Sequence, residues 1–161
     1  MKWLLDHGAN PNMGPSVVFQ VGREAVPDSG MALQLAACWS TISTLDLLLE
    51  HGAQLEHSFP LHDAAGSGDE RISMMAHLIE LGVDVNGLDS ARVRFRHGTP
   101  LHCAVGELNF GTVRFLLNNG ADPHVEDVYG VTPIEAAQKM GNQEIITLLG
   151  KASRTRHKES I

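Results

Sequence analysis

One phrase is written several times along this chain, and its spacing leaves few ways to fold. The clearest copy begins Gly98-Thr99-Pro100-Leu101-His102-Cys103-Ala104-Val105 and runs on to Val113-Arg114-Phe115-Leu116-Leu117-Asn118-Asn119-Gly120-Ala121-Asp122-Pro123. Gly130-Val131-Thr132-Pro133-Ile134 opens the next copy, so the Thr-Pro pairs are about 33 residues apart. Looser copies precede these. Met31-Ala32-Leu33-Gln34-Leu35-Ala36-Ala37 leads to Leu47-Leu48-Leu49-Glu50-His51-Gly52-Ala53. Phe59-Pro60-Leu61-His62-Asp63-Ala64-Ala65 leads to Leu78-Ile79-Glu80-Leu81-Gly82-Val83-Asp84-Val85-Asn86, and Trp3 to Asn12 reads as the second half of such a unit.

The physics of the phrase predicts two short helices per copy. Thr-Pro opens a helix, because proline's fixed φ and missing N–H cost nothing in a first turn. The Ala pair keeps that first helix slim enough for neighbouring units to approach closely. Leucines at helical spacing give the second helix an apolar face, and the glycine that follows supplies a left-handed C-terminus. One unit cannot bury that face alone, so the units must stack on each other.

Taken together, the TPLH phrase, the Ala pair, the paired leucines and the closing Gly-Ala-Asp resemble the ankyrin-repeat family. The resemblance covers nearly the whole chain, as one half repeat and about four full ones. It implies an all-α solenoid of stacked helix-turn-helix units, with hairpin-like loops and a concave groove. The expected organisation is one domain over residues 1–152. It comprises a half repeat (1–12), an insertion loop (13–30), repeats at about 31–58, 59–97, 98–130 and 131–152, and a basic, flexible tail at 153–161. The opening half repeat also fits a fragment of a longer array, because Trp3, Leu4 and Leu5 would otherwise show apolar surface.

Composition narrows the function. With 161 residues and 43% hydrophobic content the chain can build a continuous core. Its net charge of −7 and 5% aromatic content speak against a nonspecific nucleic-acid binder, which must neutralise phosphates and stack bases. No apolar run reaches the roughly 18 residues of a membrane span, and the start lacks the apolar region and cleavage site of a signal peptide. Cys38 and Cys103 lie far apart, without disulfide or zinc-ligand spacing, which fits an intracellular setting, cytoplasmic or nuclear.

The repeat breaks in four places. Between Asn12 and Met31 the connection is overlong and carries Ser16-Val17-Val18-Phe19-Gln20-Val21, either a surface insertion or a flap over the groove. Between Asp89 and His97, arginines alternate with apolar residues. In an extended finger Arg92, Arg94 and Arg96 would share one side, either as a solvated face or as an edge for an acidic or phosphorylated partner segment. Between Ala53 and Phe59 the connection is too short, and a missing hairpin tip should leave a notch. Finally, Asp69 to His77 is about two residues longer than its counterpart, with no function visible in it.

The resemblance implies that partners are contacted at the hairpin tips and at the two positions after the Ala pair of each inner helix. Those positions are Cys38 and Trp39, Gly66 and Ser67, Gly106 and Glu107, and Lys139 and Met140, with Val128 and Tyr129 at the most regular tip. Trp39 and Tyr129 are the strongest anchors, each bringing apolar area and a polar handle; Trp39 could instead pack under the long N-terminal loop.

The expected function is a noncatalytic scaffold that binds another protein through the groove, with no cofactor, metal, nucleic acid or membrane. The alternative is a small-molecule pocket or unmotifed enzyme in which Phe19 and its loop roof Cys38, Trp39, His62 and Asp63. His62 and His102 occupy the fourth place of the TPLH phrase, where the family's histidine bonds neighbouring backbone. His7 and His51 precede capping glycines, where a partly cationic ring suits a helix end. No HExxH spacing, GxSxG, P-loop or dinucleotide fingerprint is present.

Overall fold

The computed structural model describes residues 1–13, 30–56, 58–89 and 98–159, with side chains through residue 154. Among these residues the chain is helical, with an isolated antiparallel bridge between Asp89 and Gly98. The helices are α1 (Lys2–Asp6), α2 (Met31–Trp39), α3 (Ile42–Glu50), α4 (Pro60–Ser67), α5 (Ile72–Glu80), α6 (Pro100–Gly106), α7 (Phe110–Asn118), α8 (Pro133–Met140) and α9 (Gln143–Glu159). A 3-10 turn, Asp69–Arg71, precedes α5. The last helix continues past residue 152, where the repeat pattern stops, as far as Glu159. The Val18–Phe19 run, the finger carrying Arg92, Arg94 and Arg96, and His57 lie outside the described residues.

Helix starts follow local chemistry. At α8, Thr132 Oγ1 accepts from the Glu135 N–H at 3.3 Å while Glu135 accepts from the Thr132 N–H at 2.8 Å, a reciprocal capping box with Pro133 in the first turn. At α6 the same box uses a histidine, since the Thr99 N–H donates to His102 Nδ1 at 3.0 Å. The outer helices α1, α3, α5 and α7 are each followed by a glycine with positive φ: Gly8, Gly52, Gly82 and Gly120.

The even-numbered helices form an inner row in which α2 packs on α4, α4 on α6, and α6 on α8. Ala36, Ala37, Ala64, Ala65, Ala104 and Ala137 are all buried at these crossings. Each inner helix also rests on its own outer helix, whose leucines and larger apolar residues complete the core: Leu45, Leu48, Met75, Leu78, Val113, Leu116 and Leu149 are buried. Burying one such side chain contributes about 1.5–3 kcal/mol, so the stacked layers supply most of the stability. The outer helices are also linked by polar contacts. His51 Nε2 meets Asp6 at 3.1 Å, joining α3 to α1, and His77 Nε2 meets Asp46 at 2.6 Å, joining α5 to α3.

The extra residues after α4 have a structural task that the sequence did not reveal. Within the 3-10 turn, the Asp69 carboxylate accepts from the Gly111 N–H (3.1 Å), the Thr112 N–H (2.7 Å) and the Thr112 hydroxyl (2.9 Å). These are the first donors of α7, so Asp69 caps the helix of the next unit. The local cap position, Asn109, is turned away and donates to the Ala65 carbonyl instead. A Cβ at Gly111 would push the Asp69 carboxylate out of this position. Two residues on, Arg71 Nη1 donates to the Ser40 carbonyl of the preceding unit at 2.7 Å. One turn therefore holds both neighbours. Asp69→Ala should lower the unfolding free energy by about 1–2 kcal/mol in urea titrations, while Glu70→Ala stays within about 0.5 kcal/mol of the parent.

Candidate functional site

Stacking places equivalent positions of successive inner helices in rows. Counting seven residues from the first-turn proline puts Ser67, Glu107 and Met140 in one row, and the shared Ala pair adds Trp39. Trp39 is 77% exposed and Met140 47%, Glu107 is exposed, and Ser67 is half-buried with its hydroxyl donating to the Asp63 carbonyl at 2.7 Å. In the adjacent row Cys38 is half-buried, Gly66 buried, and Gly106 and Lys139 exposed. The chemistry along the main row thus changes from aromatic through hydroxyl and acid to thioether.

Leu35 was not anticipated and belongs with Trp39. It lies one turn before Trp39 on the same face of α2 and is 53% exposed. A signal was present, because the aligned position in the next unit is the polar Asp63, an unsuitable choice for a core-facing site. Tyr129 and Val128 occupy a tip that is tightly held. Asp127 Oδ1 accepts from the N–H groups of Tyr129 (2.8 Å) and Val131 (2.9 Å), and the Asp127 N–H donates to the Val131 carbonyl at 2.9 Å. Tyr129 is left 71% exposed and Val128 is also exposed. Asp89 and Gly98 pair in the preceding unit, with the Asp89 N–H donating to the Gly98 carbonyl at 2.9 Å.

The histidines of the repeat phrase tie each unit to the next. His102 Nε2 donates to the Val131 carbonyl at 2.9 Å, and His62 Nε2 donates to the carbonyls of Gly87 (2.9 Å) and Gly98 (3.1 Å). His62 is buried with its ring edge-on to Phe59, whereas Trp39 stands in solvent, so the two do not form a shared reaction centre. Asp63 is half-buried on the same helix, and Phe19 lies outside the described residues. Cys38 and Cys103 are thiols. Among the described residues no group of three or more histidine, cysteine or acidic side chains is placed to hold a metal ion, and no helix is long and apolar enough to cross a membrane.

A cleft of about 480 Å³ opens elsewhere, at the shortened connection. Leu55, Glu56, Ser58, Phe59 and His62 line one side, and Leu81, Gly82, Val83, Asp84 and Gly87 the other.

Burial holds the His102 ring below its ordinary value near 6.5, against opposing pulls from the Val131 carbonyl and the Asp127 charge. Its Nδ1 already accepts a hydrogen bond, so protonation would also break the Thr99 contact. A depressed histidine adds stability that is present above pH 6.5 and lost as pH falls through the folded-state value. His51 works in the opposite direction. Its hydrogen bond to the Leu47 carbonyl, and then its contact with Asp6, raise it, so its contribution is present below pH 6.5 and lost as pH rises. Gln34 fills the corresponding buried place in α2, which makes His102→Gln a tolerable probe. The loss of stability between about pH 7.5 and pH 5, read from urea midpoints, should be smaller in His102→Gln than in the parent; an unchanged loss would exclude His102 as a source.

Known proteins share parts of this sequence. The family described as "Ankyrin repeats (3 copies)" matches residues 61–158. The human "Ankyrin repeat and SOCS box protein 6" is 30% identical over 125 residues, covering 74% of this chain and 27% of the relative. The "Ankyrin repeat protein nuc-2" of Neurospora crassa is 30% identical over 126 residues, covering 76% of this chain and 11% of the relative. An Arabidopsis thaliana protein, "ADP-ribosylation factor GTPase-activating protein AGD2", is 35% identical over 95 residues, covering 56% of this chain and 11% of the relative. The chain thus spans about a quarter or less of the length of these relatives.

Proposed function

Because the chain belongs to the ankyrin-repeat family, whose repeats generally mediate protein–protein interaction, we propose that it holds a partner protein against its row of inner-helix side chains, anchored at Leu35 and Trp39. The observation that carries this reading is a large exposed apolar pair on one inner-helix face, Leu35 and Trp39, while the inner-helix leucines Leu33, Leu61 and Leu101 are buried. Large apolar and aromatic side chains surrounded by polar neighbours are the usual energetic centres of interfaces. Cys38, Ser67, Glu107, Lys139 and Met140 extend the contact along the array and make it selective, and Val128 and Tyr129 add a second apolar point at a rigid tip. Arg92, Arg94 and Arg96 supply the cationic contact in this reading, suited to an acidic or phosphorylated segment of the partner.

The relatives support a module rather than an activity. Their names describe different proteins, and the match covers only 27% of the first and 11% of the second. The chemistry also favours binding over catalysis, since the buried histidines are engaged with carbonyls of the following connection. We place the protein inside the cell, where its two thiols would persist.

A partner recovered from native extract by the intact chain, then purified and titrated, tests the assignment. Trp39→Ala should cost about 2 kcal/mol or more, roughly thirtyfold in affinity, and Leu35→Ser should weaken binding in the same direction. Replacing Arg92, Arg94 and Arg96 by alanine should mainly slow association and flatten its salt dependence. If Leu35→Ser and Trp39→Ala, both with parental circular dichroism, bind as the intact chain does, the groove is not the site.

A further inference from the structure

Two junctions of this array are closed by an asparagine side chain, and the junction between them is not. At the first, Asn12 Nδ2 donates to the Gly52 carbonyl at 2.8 Å and Asn12 Oδ1 accepts from the Gln54 N–H at 2.9 Å. At the later one, Asn86 Nδ2 donates to the Gly120 carbonyl at 3.1 Å and Asn86 Oδ1 accepts from the Asp122 N–H at 2.7 Å. In both, a carboxamide spans a glycine carbonyl and the N–H two residues later. Between them Glu56 stands at the asparagine position, four residues after Gly52 as Asn12 follows Gly8 and Asn86 follows Gly82. A carboxylate has no hydrogen to give, so it cannot close this junction in the same way. Among the described residues neither the Gly82 carbonyl nor the Asp84 N–H has a protein partner.

The cleft lies where this clip is missing, and Gly82 and Asp84 are part of its wall. We infer that the cleft is a binding site for an asparagine or glutamine side chain on an extended segment of a partner protein, its carboxamide taking the place that Asn12 and Asn86 occupy at the neighbouring junctions. The site is separate from the Leu35 and Trp39 face, and the inference stands without it.

Several features select this occupant. A carboxamide presents a donor and an acceptor on adjacent atoms, which is what the backbone pair needs. An ammonium or guanidinium could not accept from the Asp84 N–H, and a carboxylate would face Glu56 and Asp84 across the cleft. Leu55 and Phe59 on one side, with Leu81 and Val83 on the other, offer apolar walls to the residues that flank the carboxamide. The cleft volume of about 480 Å³ lies in the range of roughly 300–1,000 Å³ typical of ligand sites, larger than one side chain needs alone. A short stretch of chain therefore fits with its central residue inserted.

The test uses the whole chain and a capped five-residue peptide whose central asparagine is flanked by leucine and valine, compared with peptides carrying aspartate or leucine at the centre. In amide-resolved NMR titrations the asparagine peptide should shift the Asp84 N–H, and the other two should bind about tenfold more weakly or worse. Glu56→Asn should install the missing clip, raise the melting temperature by about 2–4 °C and displace the peptide. Equal binding of the three peptides, no shift at Asp84 at millimolar peptide, or undiminished binding by a folded Glu56→Asn chain would each overturn the proposal. A Glu56→Asn chain no more stable than the parent would do so too, because the backbone pair would then not match those at the other junctions.

Discussion

Everything in this molecule depends on how closely one inner helix can approach the next. Ala36 and Ala37, Ala64 and Ala65, Ala104 and Ala137 are buried where those helices meet, and any larger side chain would force the units apart. Close approach brings the histidine of one unit within reach of the following connection, as His102 reaches the Val131 carbonyl. It also allows one 3-10 turn to hold Thr112 on one side and Ser40 on the other. Those polar ties cannot drive assembly alone. They are satisfied because apolar stacking has already removed water from the crossings, where an unpaired donor or acceptor would be costly.

A solenoid separates structural from functional positions in a simple way. Side chains pointing along the stack meet the next unit and are constrained by it, whereas those in the row of Trp39 are at least partly open to solvent and are free to vary. Trp39, Ser67, Glu107 and Met140 occupy equivalent sites on four helices with no chemistry in common, which the scaffold tolerates because none of them is needed to bury its neighbour. The loops obey the same rule with a modification. Asn12 and Asn86 close their junctions, whereas Glu56 stands at the junction between them, beside a cleft that Gly82 and Asp84 help to wall. A lost internal contact thus becomes a surface feature, because repeating architecture keeps the complementary groups in place whether or not they are used.

The legible part of the sequence was the local part. Capping at Thr132 and Glu135, proline in first turns and glycine after outer helices act over three or four residues, and the helices appear where these signals stand. The sequence also marked the connection between Ala53 and Phe59 as short, and a cleft lies beside it. Contacts across long separations were not legible. Asp69 caps a helix that begins more than forty residues later, and its segment had looked like a loop enlargement without purpose. The exposure of Leu35 was not legible either, because helical period alone cannot say which apolar face turns toward a neighbour and which toward solvent.

The amino-acid sequence by itself determined the unit: its length, its two helices, its caps and the requirement that units stack, since all of these follow from short-range backbone chemistry and from apolar surface that one unit cannot hide. The tertiary structure alone decided which equivalent residues remain exposed, which histidines are consumed in joining units, and which junction lacks its clip. These outcomes depend on the distance and registry between units, and that registry emerges only when buried surfaces from distant segments settle against one another.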